Sequence, residues 1–140
     1  MKKILVVLTG GTIGSRVEGK NIDVTGASVY YLMNLYGEVY GGIEAFEVIN
    51  PLSVLSENMN LTTWTSLCQV MWNISYEDYA GVIVTHGSDT LSYTSALLGM
   101  LLSHVPVPVV LTASNYPLGE KGSNGLINFR SAVELIRTRI

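Results

Sequence analysis

Residues 4–14 read Ile4-Leu5-Val6-Val7-Leu8-Thr9-Gly10-Gly11-Thr12-Ile13-Gly14, five consecutive aliphatic side chains followed at once by a glycine-rich turn. An unbroken run of this kind, rich in β-branching, suits a parallel strand buried on both faces, because no position in it is reserved for solvent. Outward from this run the same grammar repeats. Phe46 to Ile49 reads as a second strand closed by Asn50-Pro51, Gly81 to Thr85 as a third and Val107 to Thr112 as a fourth. Between them, Trp64, Leu67, Cys68, Met71 and Trp72 fall on one helical face, with Asn60 or Thr62 placed to cap it. Leu91 to Leu102 predicts another helix, ending before the Pro106 break. Ser28 to Tyr36 fits a further helix, although its tyrosines and valine are weak helix formers. Leu126, Phe129, Val133, Ile136 and Ile140 mark the last helix, whose apolar pattern is still running at the final residue. Strand and helix thus alternate about four times through short connections, which predicts an α/β fold: a doubly wound parallel sheet in three layers, incomplete at the C-terminus, with residues 1–140 as one domain.

Composition narrows the function classes. A chain of 140 residues, 48% hydrophobic, buries roughly 70% of the surface its unfolded form exposes. A net charge of -3, with 14% charged residues and no basic run, lacks the footprint that phosphate backbones require, so no nucleic-acid partner is expected. Cys68 is the single cysteine and reads as a small thiol on a helix's apolar stripe, consistent with a reducing compartment. Lys2 and Lys3 before the aliphatic run resemble the start of a signal peptide, but Gly10 and Gly11 interrupt it before it reaches that length. No segment is long enough to span a bilayer, so no membrane partner is expected. The mean hydropathy of +0.35 predicts apolar surface that another chain or segment covers. No metal is expected, because His and Cys do not cluster at ligand spacing, and no cofactor is implied.

In a doubly wound sheet, ligands bind outside the carboxyl ends of the strands, so the loops after Leu8, Ile49, Thr85 and Thr112 are the ones to read for chemistry. The first displays Thr12 on a turn whose glycines bring backbone N–H groups close to a ligand. It has neither the ending of a phosphate loop nor a dinucleotide glycine spacing. The third, Thr85-His86-Gly87-Ser88-Asp89-Thr90, stands before a helix, where Ser88 or Asp89 has a plain alternative role as N-cap. His86 is too near Ser88 and Asp89 in sequence to form a triad with them and reads as structural. His104, near a helix end, reads as solvated or as a cap for the last turn. Ser53, Ser56, Glu57 and Asn58 follow the second strand, and Ser114, Asn115, Lys121, Ser123 and Asn124 the fourth. One crevice ringed by hydroxyls, amides and carboxylates suits a small zwitterion.

These residues carry a family resemblance. Thr9-Gly10-Gly11-Thr12-Ile13 resembles the first signature of the bacterial L-asparaginase and glutaminase family, and His86-Gly87-Ser88-Asp89-Thr90 its second, usually H-G-T-D-T. Ser56-Glu57-Asn58-Met59 is similar to the family's substrate-carboxylate loop, and Pro108 to Asn128 to its fourth strand, following loop and helix start. The segment Ser92-Tyr93-Thr94-Ser95-Ala96 is closer to the cytoplasmic branch than to the secreted one, which implies a cytoplasmic location. The resemblance implies hydrolysis of a side-chain amide of asparagine or glutamine, with Thr12 as nucleophile. Ser88 stands for the second catalytic threonine, and Asp89 accepts from the substrate's α-ammonium. The same resemblance implies that Ser56 and Glu57 hold the α-carboxylate and α-amino groups, that Gly11, Gly87 and Ser114 line the substrate site, and that backbone N–H groups near Gly11 and Ser88 stabilise the oxyanion. It also implies a homo-oligomer with asparagine, aspartate or glutamine as small-molecule ligand, and identifies this chain as the amino-terminal part, without the second domain.

This sequence departs from the family pattern in several places. Asn21 or Ile22 stands where a lid tyrosine is usual, Asn124 replaces an aspartate in S-D-G, and the family's catalytic lysine falls on a segment after residue 140. Two other functions are open, the first favoured by these departures and the second by the shared signatures. One is a non-catalytic amino-acid-binding or assembly module. The other is the related domain of a tRNA amidotransferase, which uses glutamine as ammonia donor; Met1-Lys2-Lys3 running straight into the first strand argues against the extra amino-terminal domain expected there.

Overall fold

The computed structural model describes residues 2–11, 16–18, 21–23, 26–41 and 45–138, with side chains described for 2–11, 31–41 and 45–138. Four parallel strands form the main sheet: β1 (Lys3–Leu8), β4 (Phe46–Ile49), β5 (Tyr79–Thr85) and β6 (Val109–Thr112), in the order β4-β1-β5-β6. Side chains alternate across a strand, and β1 shows the consequence. Ile4, Val6 and Leu8 enter a core shared with α1 (Gly26–Tyr40) and α4 (Gly125–Thr138). Leu5 and Val7 enter a second core shared with α2 (Leu61–Trp72) and α3 (Leu91–Leu101). Helices therefore cover both faces, the three-layer α/β architecture that the unbroken aliphatic run predicts. The chain leaves β1 for β4 on one side and returns to β5 on the other, so the carboxyl ends of β1 and β5 flank the switch point where such folds bind ligands.

Helix boundaries follow local chemistry. Asn60, rather than Thr62, caps α2: its side chain accepts from the Thr63 N–H at 3.1 Å, and the Thr63 hydroxyl accepts from the Asn60 N–H at 2.8 Å. After α2, the Tyr76 hydroxyl donates to the Met71 carbonyl at 2.7 Å, and burial pushes its pKa up to about 12. Cys68 is half-buried against the second core, and burial raises its thiol pKa. The His104 ring lies against Trp72 with centroids 5.4 Å apart, a packing contact at the end of α3. In α4, Phe129, Val133 and Ile136 are buried and Leu126 half-buried, as the spacing predicts; Ile140 lies outside the described residues. The helix packs directly on β5 because Gly81 has no side chain, and a Cβ there would stand 2.8 Å from Ile136.

Besides β5, which begins at Tyr79 rather than Gly81, three features differ from the sequence reading. An antiparallel hairpin, β2 (Arg16–Glu18) with β3 (Asn21–Asp23), stands between the first glycine-rich turn and α1, where the sequence reading places no element. Three-residue strands are too short to establish a period of two. Helix α1 runs from Gly26 to Tyr40, longer at both ends than Ser28 to Tyr36. Tyr36 is held by packing: its ring meets Tyr40, Phe46 and Phe129 with centroids 5.2, 5.5 and 5.6 Å away. That burial outweighs weak helix propensity. Finally, β6 starts at Val109 rather than Val107, after Pro108, which has no N–H for the ladder but whose carbonyl accepts from Val82 N–H at 2.9 Å. Among the described residues, no helix is long and apolar enough to cross a membrane.

Candidate functional site

Three loops converge at the switch point because three glycines lack side chains. Gly10 and Gly11 follow β1 with φ of 101° and 76°, the left-handed region that glycine tolerates. A Cβ on Gly10 would lie 2.4 Å from the Val54 carbonyl oxygen, and one on Gly11 would lie 2.5 Å from the Gly87 nitrogen. A Cβ on Gly87 would lie 2.3 Å from the Ser56 Oγ. The loops after β1, β4 and β5 are therefore in backbone contact, and any side chain at these positions would hold them apart.

Hydrogen bonds lock this convergence. Thr9 donates to the Thr85 carbonyl through its hydroxyl at 2.9 Å and its N–H at 3.3 Å, and its own carbonyl accepts from Val54 N–H at 3.1 Å. The His86 N–H donates to the Thr112 carbonyl at 2.8 Å, which joins the loop after β5 to the end of β6. Ser56 begins a 3-10 turn over Ser56–Asn58 and is buried. Its hydroxyl donates to the Asp89 carboxylate at 3.0 Å, and its carbonyl accepts from the Thr90 hydroxyl at 3.0 Å. Asp89 and Ser88 sit on a second 3-10 turn, Ser88–Thr90, both exposed. Neither caps α3: the capping position is Thr90, which makes no side-chain cap bond. The carboxylate of Asp89 is directed to Ser56 instead.

His86 is 1% exposed. Its Nδ1 lies 2.8 Å from the Gly87 carbonyl and its Nε2 2.9 Å from the Thr94 hydroxyl. A carbonyl only accepts, so Nδ1 carries the proton, and in the neutral ring Nε2 accepts from Thr94. Thr94 in turn accepts from the Trp64 indole N–H at 2.9 Å. Burial depresses the His86 pKa, opposed by the Gly87 carbonyl, which favours the charged form. His86 is thus a structural group, as its position in the motif suggests.

Of the residues singled out in the sequence, Gly11, Gly87, Ser56 and Asp89 are brought together. Glu57 is exposed on the same turn as Ser56. Ser114 is 1% exposed and engaged within its own loop, 2.6 Å from the Tyr116 carbonyl and 3.1 Å from Asn124 Oδ1. Asn124 Oδ1 also accepts from the Asn115 N–H at 3.0 Å, so this residue staples the loop after β6. Thr12 lies outside the described residues, and of Asn21 and Ile22 only the backbone is described. Sequence reading missed Trp64, Thr90 and Thr94, which stand on helices or in a cap position where no periodicity distinguishes a buried hydroxyl or indole N–H from ordinary packing. Among the described residues, no group of three or more His, Cys, Asp or Glu could hold a metal ion.

Comparison with known proteins gives the same α/β fold. The family model described as asparaginase, N-terminal, matches residues 3–139. The chain is 33% identical over 137 residues to the L-asparaginase of Thermococcus kodakarensis, covering 96% of this chain and 40% of that protein. It is 34% identical over 136 residues to a component of the glutamyl-tRNA(Gln) amidotransferase of Metallosphaera sedula, covering 96% of this chain and 31% of that protein. The solved structure of the thermostable L-asparaginase from Thermococcus kodakarensis superposes with a TM-score of 0.77 at 29% identity, over 97% of this chain and 41% of that one. The chain therefore spans about two fifths or less of the length of these relatives.

Proposed function

This chain belongs to the asparaginase family, and from that premise we propose that its crevice binds the amino-acid end of asparagine, or of glutamine, for hydrolysis of the side-chain amide. The observation that supports this reading is the Ser56 hydroxyl 3.0 Å from the Asp89 carboxylate, beside the point where the Gly11 and Gly87 backbones touch. A hydroxyl that donates and an exposed carboxylate that accepts match the two ends of a zwitterion, carboxylate and ammonium respectively. Glu57, on the Ser56 turn, adds negative charge for the ammonium.

In this mechanism the Thr12 hydroxyl attacks the amide carbon. Its proton passes to the departing nitrogen, the C–N bond breaks and ammonia leaves an ester on Thr12. Water then attacks the ester, giving the free acid and restoring the Thr12 hydroxyl. Ser88 supplies the second catalytic hydroxyl and Ser114 lines the pocket. The backbone N–H groups of the two glycine-rich turns, around Gly11, Gly87 and Ser88, stabilise the oxyanion. No metal or other cofactor takes part. The working protein is a cytoplasmic homo-oligomer, in which segments from another copy complete the site.

Ammonia release from asparagine and glutamine, measured beside Thr12→Ala, tests the reaction. Release abolished by the substitution supports it; release equal in both proteins removes Thr12 as nucleophile. Saturable aspartate binding without any release identifies an amino-acid-binding module in place of an enzyme. The similarity to an amidotransferase component favours a second reading, glutamine as ammonia donor to a partner enzyme. Turnover of glutamine with none of asparagine is its expected signature.

A further inference from the structure

The loop that carries Ser88 and Asp89 is held by hydrogen bonds that reach into two crossover helices. The Trp64 N–H donates to Thr94, the Thr94 O–H donates to His86 Nε2, and His86 Nδ1–H donates to the Gly87 carbonyl. Each N–H or O–H donates once, the Thr94 hydroxyl accepts on one side and donates on the other, and all three bonds point the same way, so each polarises the next. Trp64 lies in the first turn of α2 and Thr94 in the first turn of α3. Thr94 is fully buried at 0% exposure, where an unpaired hydroxyl or imidazole would be costly.

The direction of this chain has a consequence for the crevice. In a trans peptide the carbonyl and the following N–H point to opposite sides. Fixing the Gly87 carbonyl against buried His86 therefore turns the Ser88 N–H away from the core, on the side where Ser88 and Asp89 are exposed. The opposite tautomer of His86 would place a lone pair against the Gly87 carbonyl and release that peptide. Gly87 also carries the backbone contact with Gly11 and the close approach to Ser56, so a rotation there would disturb all three loops.

We propose that Trp64 and Thr94 are positioning residues for the substrate loop, acting through the Nδ1–H tautomer of His86 to set the Gly87–Ser88 peptide. The inference rests on the reading of the crevice as an amino-acid site. The readouts are the His86 tautomer, from long-range proton–nitrogen NMR, and aspartate affinity, from calorimetry, on the whole chain and three variants. Wild type holds the proton on Nδ1. In Thr94→Val the tautomer becomes mixed, the Ser88 amide resonance shifts, and aspartate binds roughly tenfold more weakly, the loss of about one buried hydrogen bond. Thr94→Ser restores tautomer and affinity, which a purely space-filling role for the threonine methyl would not allow. Should Thr94→Val fail to fold, Trp64→Phe removes only the outermost donor and is expected to weaken binding in the same direction by a smaller factor.

A wild-type His86 protonated on Nε2, or a Thr94→Val protein with wild-type affinity, overturns the proposal. Thr94→Ser behaving like Thr94→Val overturns it as well. If wild type binds no aspartate while His86 holds its Nδ1 proton and the Ser88 amide shifts in Thr94→Val, the amino-acid reading fails and the relay stands.

Discussion

At the scale of single residues, the loops around the crevice are set by one neutral imidazole and by positions too tight for a side chain. His86 must stay neutral, and burial lowers its pKa from 6.5. The unfolded chain therefore takes up its histidine proton at a higher pH than the folded one. Stability from this group is complete above the unfolded value and is lost as the pH falls below about 6.5 toward the depressed folded value. Glu47, whose carboxyl is held low by the Tyr79 hydroxyl and Lys3, keeps its contribution above its ordinary 4.5 and loses it only at more acid pH. Thermal melts between pH 7 and 5 are expected to show a falling Tm that flattens in His86→Gln; an identical slope in both proteins would remove His86 as its source. Gly87→Ala is expected to cost on the order of 2 kcal/mol by overpacking, because the new methyl meets Ser56 at 2.3 Å, and to abolish aspartate binding along with the Ser56–Asp89 contact. At Ser88 the opposite change is favourable. Ser88→Thr restricts three staggered wells toward one, which is worth at most about threefold in turnover; a decrease in ammonia release would argue that the serine is not the second catalytic hydroxyl.

Elements record how much of this molecule is legible in its sequence. The run from Ile4 to Leu8 announces β1 because both faces are buried and every position must be apolar. Helix α4 is equally plain, since only one of its faces packs and the apolar spacing exposes it. In contrast, α1 is legible only over Ser28 to Tyr36, because Tyr30, Tyr31, Tyr36 and Tyr40 favour strands locally; the helix extends further where Tyr36 finds Phe46 and Phe129. The site divides in the same way. Gly11, Ser56, Gly87 and Asp89 stand in strand-end loops, where fold topology marks them in advance; Trp64 and Thr94 stand inside helices, and only a structure reveals that their polar atoms face one another. For α2, the reciprocal bonds between Asn60 and Thr63 predict that Asn60→Ala costs about 1 kcal/mol, a drop of roughly 3 °C in Tm. Urea titration of Thr62→Ala beside it checks the assignment, since that residue is expected to be near neutral. Equal losses at both positions would contradict the capping box.

For the whole molecule, the two edges of the sheet differ in chemistry. The β4 edge carries Glu47, paired with Lys3 at 3.3 Å and accepting from the Tyr79 hydroxyl at 2.9 Å, a charged arrangement of the kind that discourages strand addition. Strand β6 pairs with β5 alone among the described residues and offers only Val109, Val110, Leu111 and Thr112. Apolar grooves flank it on both sides. One of about 350 Å³ is lined by Leu98, Leu102, Val107 and Val109 on the α3 side, and one of about 390 Å³ by Val110, Ala132 and Leu135 on the α4 side. Unpaired N–H and C=O groups between two apolar grooves form a template for another strand. Self-association through β6 is therefore expected for the 140-residue chain, and sedimentation at tens of micromolar is the measurement. Val110→Lys places a charge on the half-buried edge and is expected to shift the population toward monomer while Tm falls by only a few degrees. A wild-type chain that sediments as a monomer throughout would show that the edge is self-protected; association unchanged by Val110→Lys, with the variant folded, would move the contact to another surface, such as the exposed Trp72 and Met100 of α2 and α3.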